Sequence, residues 1–143
     1  MSEHLSLAEY RATVAAQTLE NSVQRDILTL LAARNIPHAV TDASASYNAN
    51  GQRRKRVTTG WPDITACFPG TGQLLAIECK RASGGTLRPE QAATLETLWI
   101  SGALILIARS IDDVERILET GKVSHETLAE VQAARTPKRK ARR

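Results

Sequence analysis

The stretch Gly60-Trp61-Pro62-Asp63-Ile64-Thr65-Ala66-Cys67-Phe68-Pro69-Gly70-Thr71-Gly72-Gln73-Leu74-Leu75-Ala76-Ile77-Glu78-Cys79-Lys80 decides how the chain is read. Ile64 to Phe68 is apolar and β-branched, Pro69-Gly70-Thr71-Gly72 carries turn residues, and Gln73 to Ala76 opens a second apolar run. That pattern predicts strand, turn, strand. Pairing Phe68 with Gln73 across the four-residue turn makes paired numbers sum to 141 and sets Asp63 opposite Glu78. Cross-strand neighbours have Cβ atoms roughly 4.5–5.5 Å apart, and two like charges there are destabilising. Lys80, two residues beyond Glu78, points to the same face of the sheet. A hard divalent cation, which takes oxygen ligands, would offset the repulsion between the carboxylates. The plainer alternative is a solvated Glu78–Lys80 pair at a strand end with Asp63 as a turn residue. A slip of one residue in the register would also send Asp63 to the other face.

The chain has 143 residues and is 42% hydrophobic, enough for one domain with its own core. No apolar run reaches the roughly 18–20 residues that span a bilayer, and the start Met1-Ser2-Glu3-His4 lacks the pattern of a signal peptide. Two cysteines, Cys67 and Cys79, fall in predicted strands. In the register above Cys67 faces Leu74, so no disulfide framework is expected and an intracellular, cytoplasmic setting follows. The net charge of +4 hides an asymmetry. Arg53, Arg54, Lys55 and Arg56, with Lys138, Arg139, Lys140, Arg142 and Arg143, supply nine of the 19 basic residues. The rest of the chain sets ten bases against 15 acids, a net of −5. Basic charge gathered in two short runs suits a polyanion such as nucleic acid; the alternative for the terminal run is a solubility tail or targeting signal.

Residues 1–17 hold the capping-box pattern Ser6-Leu7-Ala8-Glu9 and then Leu7, Tyr10 and Val14 at helical spacing, predicting an amphipathic helix, separate from or continuous with the next. Residues 18–34 carry Val23, Ile27 and Leu31 as a core stripe. At about 100° per residue from Glu20, Ile27 falls near −20° and Leu31 near +20°, so Glu20 lies on the stripe at its N-terminal end. A first-turn glutamate that only complements the helix dipole is the alternative. Residues 36–43 read as an edge strand because they include Pro37, and 44–59 as a long polar loop, functional or disordered, whose arginines are placed to hold phosphates beside the site. After Gly84-Gly85, Pro89 opens a helix with Gln91, Leu95 and Leu98 on one face. Gln91 thus crowns an apolar stripe, as Glu20 does; plain N-terminal capping is the alternative. Ala103 to Ala108 is apolar throughout, predicting a central strand parallel to the Glu78 strand. A helix from Ser110 to Gly121 and a short one over 125–134 complete the domain at 135, leaving 136–143 as a basic tail. The expected fold is α/β in the order α-β-β-β-α-β-α, with a mixed central sheet flanked by helices.

Gly60-x-Pro62-Asp63 followed by Ile77-Glu78-x-Lys80 resembles the PD-(D/E)xK nuclease signature and, in detail, the free-standing phage and bacterial type of its VRR-NUC branch. The resemblance covers roughly residues 19–118. It implies a restriction-endonuclease-like core and phosphodiester hydrolysis with Mg²⁺ or Mn²⁺. Asp63, Glu78, Lys80 and Gln91 become the catalytic set. Asp63, Glu78, the Cys79 backbone carbonyl and Glu20 become the metal ligands, since the family carries a glutamate on its first helix that completes the metal site. The family also carries a glutamine at about this interval after its Glu-x-Lys strand, behind a Leu-Ser-Pro-like segment. Here Arg88 replaces the small capping residue and, with Arg81, joins the expected phosphate contacts. The resemblance further implies a homodimer acting on branched DNA, Holliday junctions or flaps, inside a bacterial or phage-infected cell. The alternative is a nucleic-acid-binding protein that keeps the fold without turnover.

Overall fold

A computed structural model describes residues 6–41, 46–47, 49–54 and 58–135, with the side chains of 46–47 and 53–54 outside the description. The elements run α1 (Leu7–Ala33), β1 (His38–Val40), β2 (Ser46–Tyr47), β3 (Arg53–Arg54), β4 (Ile64–Cys67), β5 (Leu74–Cys79), α2 (Pro89–Ile100), β6 (Leu104–Ala108), α3 (Ile111–Thr120) and α4 (His125–Arg135). Four strands form one mixed sheet in the order β1-β4-β5-β6, and β2 and β3 form a separate two-stranded ribbon. The fold is α/β, as expected.

The β4–β5 hairpin adopts the expected register. Ile64 pairs with Ile77, Thr65 with Ala76, Ala66 with Leu75 and Cys67 with Leu74. The turn is closed by Phe68 N–H donating to the Gln73 carbonyl at 2.8 Å and Gly72 N–H to the Phe68 carbonyl at 2.9 Å. Gly70 and Gly72 take φ values of 84° and 71°, where a side chain would be strained. β5 then pairs in parallel with β6, a connection that needs the α2 crossover.

Period-two alternation along β5 distributes its side chains between two layers. Leu75, Ile77 and Cys79 pack with Ile27 and Leu31 of α1 and with Val114 and Ile117 of α3. Ala76 packs on the opposite face with Ala92 and Leu95 of α2 and Val131 of α4. Glu78 and Lys80 share the parity of Ala76, and so face α2.

The structure resolves one alternative left open by the sequence, in α1, and departs from the sequence reading at β6 and in the polar loop. α1 is one helix through the 17/18 position, with the predicted capping box at its start: Ser6 N–H donates to Glu9 Oε2 at 2.7 Å and Glu9 N–H to Ser6 Oγ at 3.2 Å. Only its second half is buried; Leu7, Tyr10 and Val14 stay exposed, Leu7 at 63%. β6 is buried along its whole length but lies at the sheet edge rather than at its centre. Burial on both faces was a sound inference; central position was not, because α3 and α4 cover this edge strand. Ile107 N–H on its open side is within 3.5 Å of Thr127 Oγ1 of α4. The polar loop contains a ribbon, Ser46 opposite Arg54 and Tyr47 opposite Arg53, too short and too polar to show any alternation. Lys55, Arg56 and the tail residues Lys138, Arg139, Lys140, Arg142 and Arg143 lie outside the described residues.

Among the described residues no helix is long and apolar enough to cross a membrane. Leu31, fully buried between α1 and the sheet, should lose about 2–5 kcal/mol of stability as Leu31→Ala. Leu7→Ala should change it by less than about 0.5 kcal/mol. Urea denaturation of the two variants reads this contrast, and equal losses would mean that the first half of α1 is packed as well.

Candidate functional site

The site is built where the sheet runs out. Continuing the β4–β5 register places Asp63 opposite Glu78 and Pro62 opposite Cys79. Proline has no N–H, so the ladder bond that would reach the Cys79 carbonyl cannot form, and that oxygen is left without its strand partner. The Cys79 N–H is instead taken by Asp63 Oδ2 at 2.8 Å. One Asp63 oxygen therefore caps the strand and fixes the carboxylate. From the other side Thr41, next after β1, donates its N–H to the Asp63 carbonyl at 2.8 Å and its hydroxyl to the Pro62 carbonyl. Thr41 was not singled out from the sequence, because nothing local to it reveals the β1–β4 register.

Glu78 is 1% exposed, Lys80 6% and Gln91 6%. Gln91 joins the three. Its Nε2 donates to Glu78 Oε1 at 2.6 Å, and its Oε1 accepts from Lys80 Nζ at 3.2 Å and from the Arg88 N–H at 3.0 Å. Two donors meet at the amide oxygen and an acceptor meets the nitrogen, so the amide has a single sensible orientation. Lys80 Nζ lies 3.6 Å from Glu78 Oε1. Gln91 is the third residue of α2, and by taking the Arg88 N–H it does perform the capping role of the alternative reading. It does so while bonding both charged groups.

The motif glycine has a steric role. A Cβ on Gly60 would stand 2.3 Å from the Glu90 carbonyl oxygen and 3.0 Å from the Gln91 nitrogen, and its φ is +81°. Gly60 lets the segment before Asp63 press against the first turn of α2, which carries Gln91. The two halves of the site touch there, backbone to backbone.

Electrostatics leave Glu78 undersupplied. Burial, and then the Asp63 charge, push its carboxyl up to about 8, with Lys80 pulling in the opposite direction. Oε2 is buried with no hydrogen-bond partner. The Asp63 carboxylate is within bonding reach, but two carboxylates bond only through a proton held between them. A proton or a cation fits that position. Asp63, Glu78 and the Cys79 carbonyl, which has no ladder donor in Pro62, make an all-oxygen donor set suited to a hard divalent ion. The Cys79 thiol is pushed up by burial and by Asp63, Glu78 and Glu20, which keeps it a thiol rather than a nucleophile.

Against models of protein families, curated proteins and solved structures alike, the chain has no match.

Of the residues named from the sequence, Asp63, Glu78, Lys80 and Gln91 come together. Glu20 is half-buried on α1, the helix that packs on the Cys79 side of the sheet, and its charge is felt by that thiol. Among the described residues no three His, Cys, Asp or Glu side chains gather into a metal-binding group. Arg81 Nη2 donates to the Gly84 carbonyl at 2.9 Å. Arg88 is exposed and 3.5 Å from Glu90. Arg53 and Arg54 are placed by backbone only, in β3.

The raised Glu78 carboxyl has a consequence for stability. Its folded value, about 8, lies above the ordinary 4.5. Across that window the folded state keeps a proton that the unfolded state has released, so stability falls as pH rises. With divalent ions chelated, denaturation of the wild type should show a loss between pH 5 and 8 that Glu78→Gln lacks. Parallel pH profiles for the two proteins would mean that Glu78 titrates normally.

Proposed function

We propose that this chain is a metal-dependent nuclease that hydrolyses phosphodiester bonds in DNA. The observation that carries the reading is the four-residue contact of Asp63, Glu78, Lys80 and Gln91 around a buried carboxylate oxygen that has no donor. With the β2–β3 ribbon and the final helix α4 set aside, the element order α-β-β-β-α-β-α also supports a restriction-endonuclease-like core.

Asp63, Glu78 and the Cys79 carbonyl would hold Mg²⁺ or Mn²⁺, with Glu20 acting at longer range. Such an ion, when bound, neutralises charge on the phosphate and makes water more acidic. The chain's own residues do the rest. Lys80 supplies a positive charge whose direction is fixed by Gln91 Oε1 and Glu78 Oε1, set to orient the attacking water and to stabilise the charge that develops on phosphorus oxygens. Gln91 keeps the ammonium and the carboxylate from collapsing into a closer pair, since it occupies the space between them with one bond to each. Asp63 commits Oδ2 to the Cys79 N–H and brings its carboxylate within bonding reach of Glu78. The ribbon bearing Arg53 and Arg54 precedes Gly60 and Asp63 by a few residues in sequence, which supports phosphate contacts beside the site. Branched DNA, a homodimer and the basic tail as a source of grip complete the reading.

One observation favours a second reading, a nucleic-acid-binding protein without turnover: Glu78 Oε1 is already engaged by Gln91 Nε2 and lies 3.6 Å from Lys80 Nζ, as in a structural polar network. A cleavage panel separates the two. Wild type with Mg²⁺ or Mn²⁺, offered Holliday junctions, flaps, duplex and single strands, should cut at least one. Lys80→Ala and Asp63→Ala should slow cleavage by at least about 100-fold, while Gln91→Ala, which leaves every charge in place, should cost about tenfold. Binding without cleavage by the wild type selects the second reading. Variants that cut as fast as wild type would remove these residues from the chemistry.

A further inference from the structure

Immediately after Lys80 the chain turns back over its own side chain. Gly84, at φ 76°, accepts the Arg81 guanidinium, and Gly85 follows. A Cβ on Gly85 would stand 3.3 Å from Lys80 Cβ and 3.3 Å from the Arg81 nitrogen. The Gly85 backbone thus passes close to the base of the Lys80 side chain, which is itself buried. Two adjacent glycines have the greatest conformational freedom in a chain, so something outside this segment must hold them down.

Arg109 is placed to do so. It directly follows Ala108, whose carbonyl accepts the Lys80 N–H at 2.9 Å. Its Nη2 donates to the Gly85 carbonyl at 2.9 Å. The same guanidinium forms a two-point bond with Glu130 of α4, Nη1 to Oε2 at 3.0 Å and Nη2 to Oε1 at 2.5 Å. Its backbone N–H is held by Asp113 Oδ2 at 2.9 Å. A planar fork can meet both oxygens of Glu130 and still reach Gly85; an ammonium cannot repeat that geometry.

We propose that Arg109 is a positioning residue: braced by Glu130, it clamps the Gly84–Gly85 crossing over Lys80 and so holds the ammonium against Glu78 and Gln91. The mechanical statement stands on these contacts, and its catalytic consequence rests on the nuclease reading.

Amine acylation of the full-length protein tests the clamp without substrate. A limiting N-hydroxysuccinimide ester is applied and occupancy at each lysine is read by peptide mass spectrometry. In the wild type, Lys80 should label more slowly than exposed Lys122. In Arg109→Gln and Glu130→Ala, Lys80 labelling should rise about tenfold, the scale of one charge-assisted hydrogen bond, with Lys122 unchanged. Arg109→Lys should fall between. Variants that keep the native circular-dichroism signal decide the matter. Unchanged Lys80 labelling in them, equal acceleration at Lys122, or loss of folding in all three overturns the proposal, since a positioning role spares the fold. If the wild type cleaves DNA, Arg109→Gln should lower kcat and leave KM alone. A wild type that cleaves nothing ends the nuclease reading and leaves the labelling result standing.

Discussion

The interaction on which the rest depends is the burial of one carboxylate at the end of a β-strand. Taking an ion of this kind out of water costs several kcal/mol even after relaxation, and a folded domain has only about 5–15 kcal/mol in hand. Glu78 is held in that position by a lysine two residues away and by a glutamine from a neighbouring helix. Both partners address the same oxygen, leaving the other without a donor. A purely structural ion pair would gain by satisfying both. With the Asp63 carboxylate beside it, this second oxygen is where a proton or a cation would relieve the repulsion between the two groups.

Backbone geometry supplies what side chains alone could not. Pro62 removes a ladder donor at the position where the Cys79 carbonyl would have been bonded, and Gly60 removes the only bulk that would separate this segment from α2. The motif therefore encodes one missing hydrogen and one missing methyl group, as well as a carboxylate. Gln91 then converts the contact between strand and helix into a polar network in which each member restrains the others.

Much of this was legible from the residues. The Phe68–Gln73 pairing follows from turn length and apolar alternation, and it fixed Asp63 against Glu78 correctly. Gln91 was visible as a polar residue on an apolar helical stripe, and the structure makes it a buried bridge. Glu20 followed the same logic, yet it belongs to a helix on the opposite face, because periodicity shows that a residue faces the sheet without showing which side of the sheet that is. The edge position of β6 was hidden for a related reason: a strand covered by helices has the same composition whether or not another strand lies beside it. Thr41, Arg109 and Glu130 act through contacts distant in sequence. No spacing rule reaches them.

The pairing of Thr41 with Asp63 has an evolutionary side. The chain leaves the sheet at one and returns at the other, and the two are hydrogen-bonded backbone to backbone. The intervening segment, basic ribbon included, is thus a closed excursion pinned at its base. Lengthening such a loop costs only about 0.6 kcal/mol for each doubling. Residues of this excursion ahead of Gly60 and Pro62 can be added, removed or exchanged with little effect on the geometry of the carboxylates. Variation in this excursion is thereby uncoupled from the strand end that carries Asp63 and Glu78.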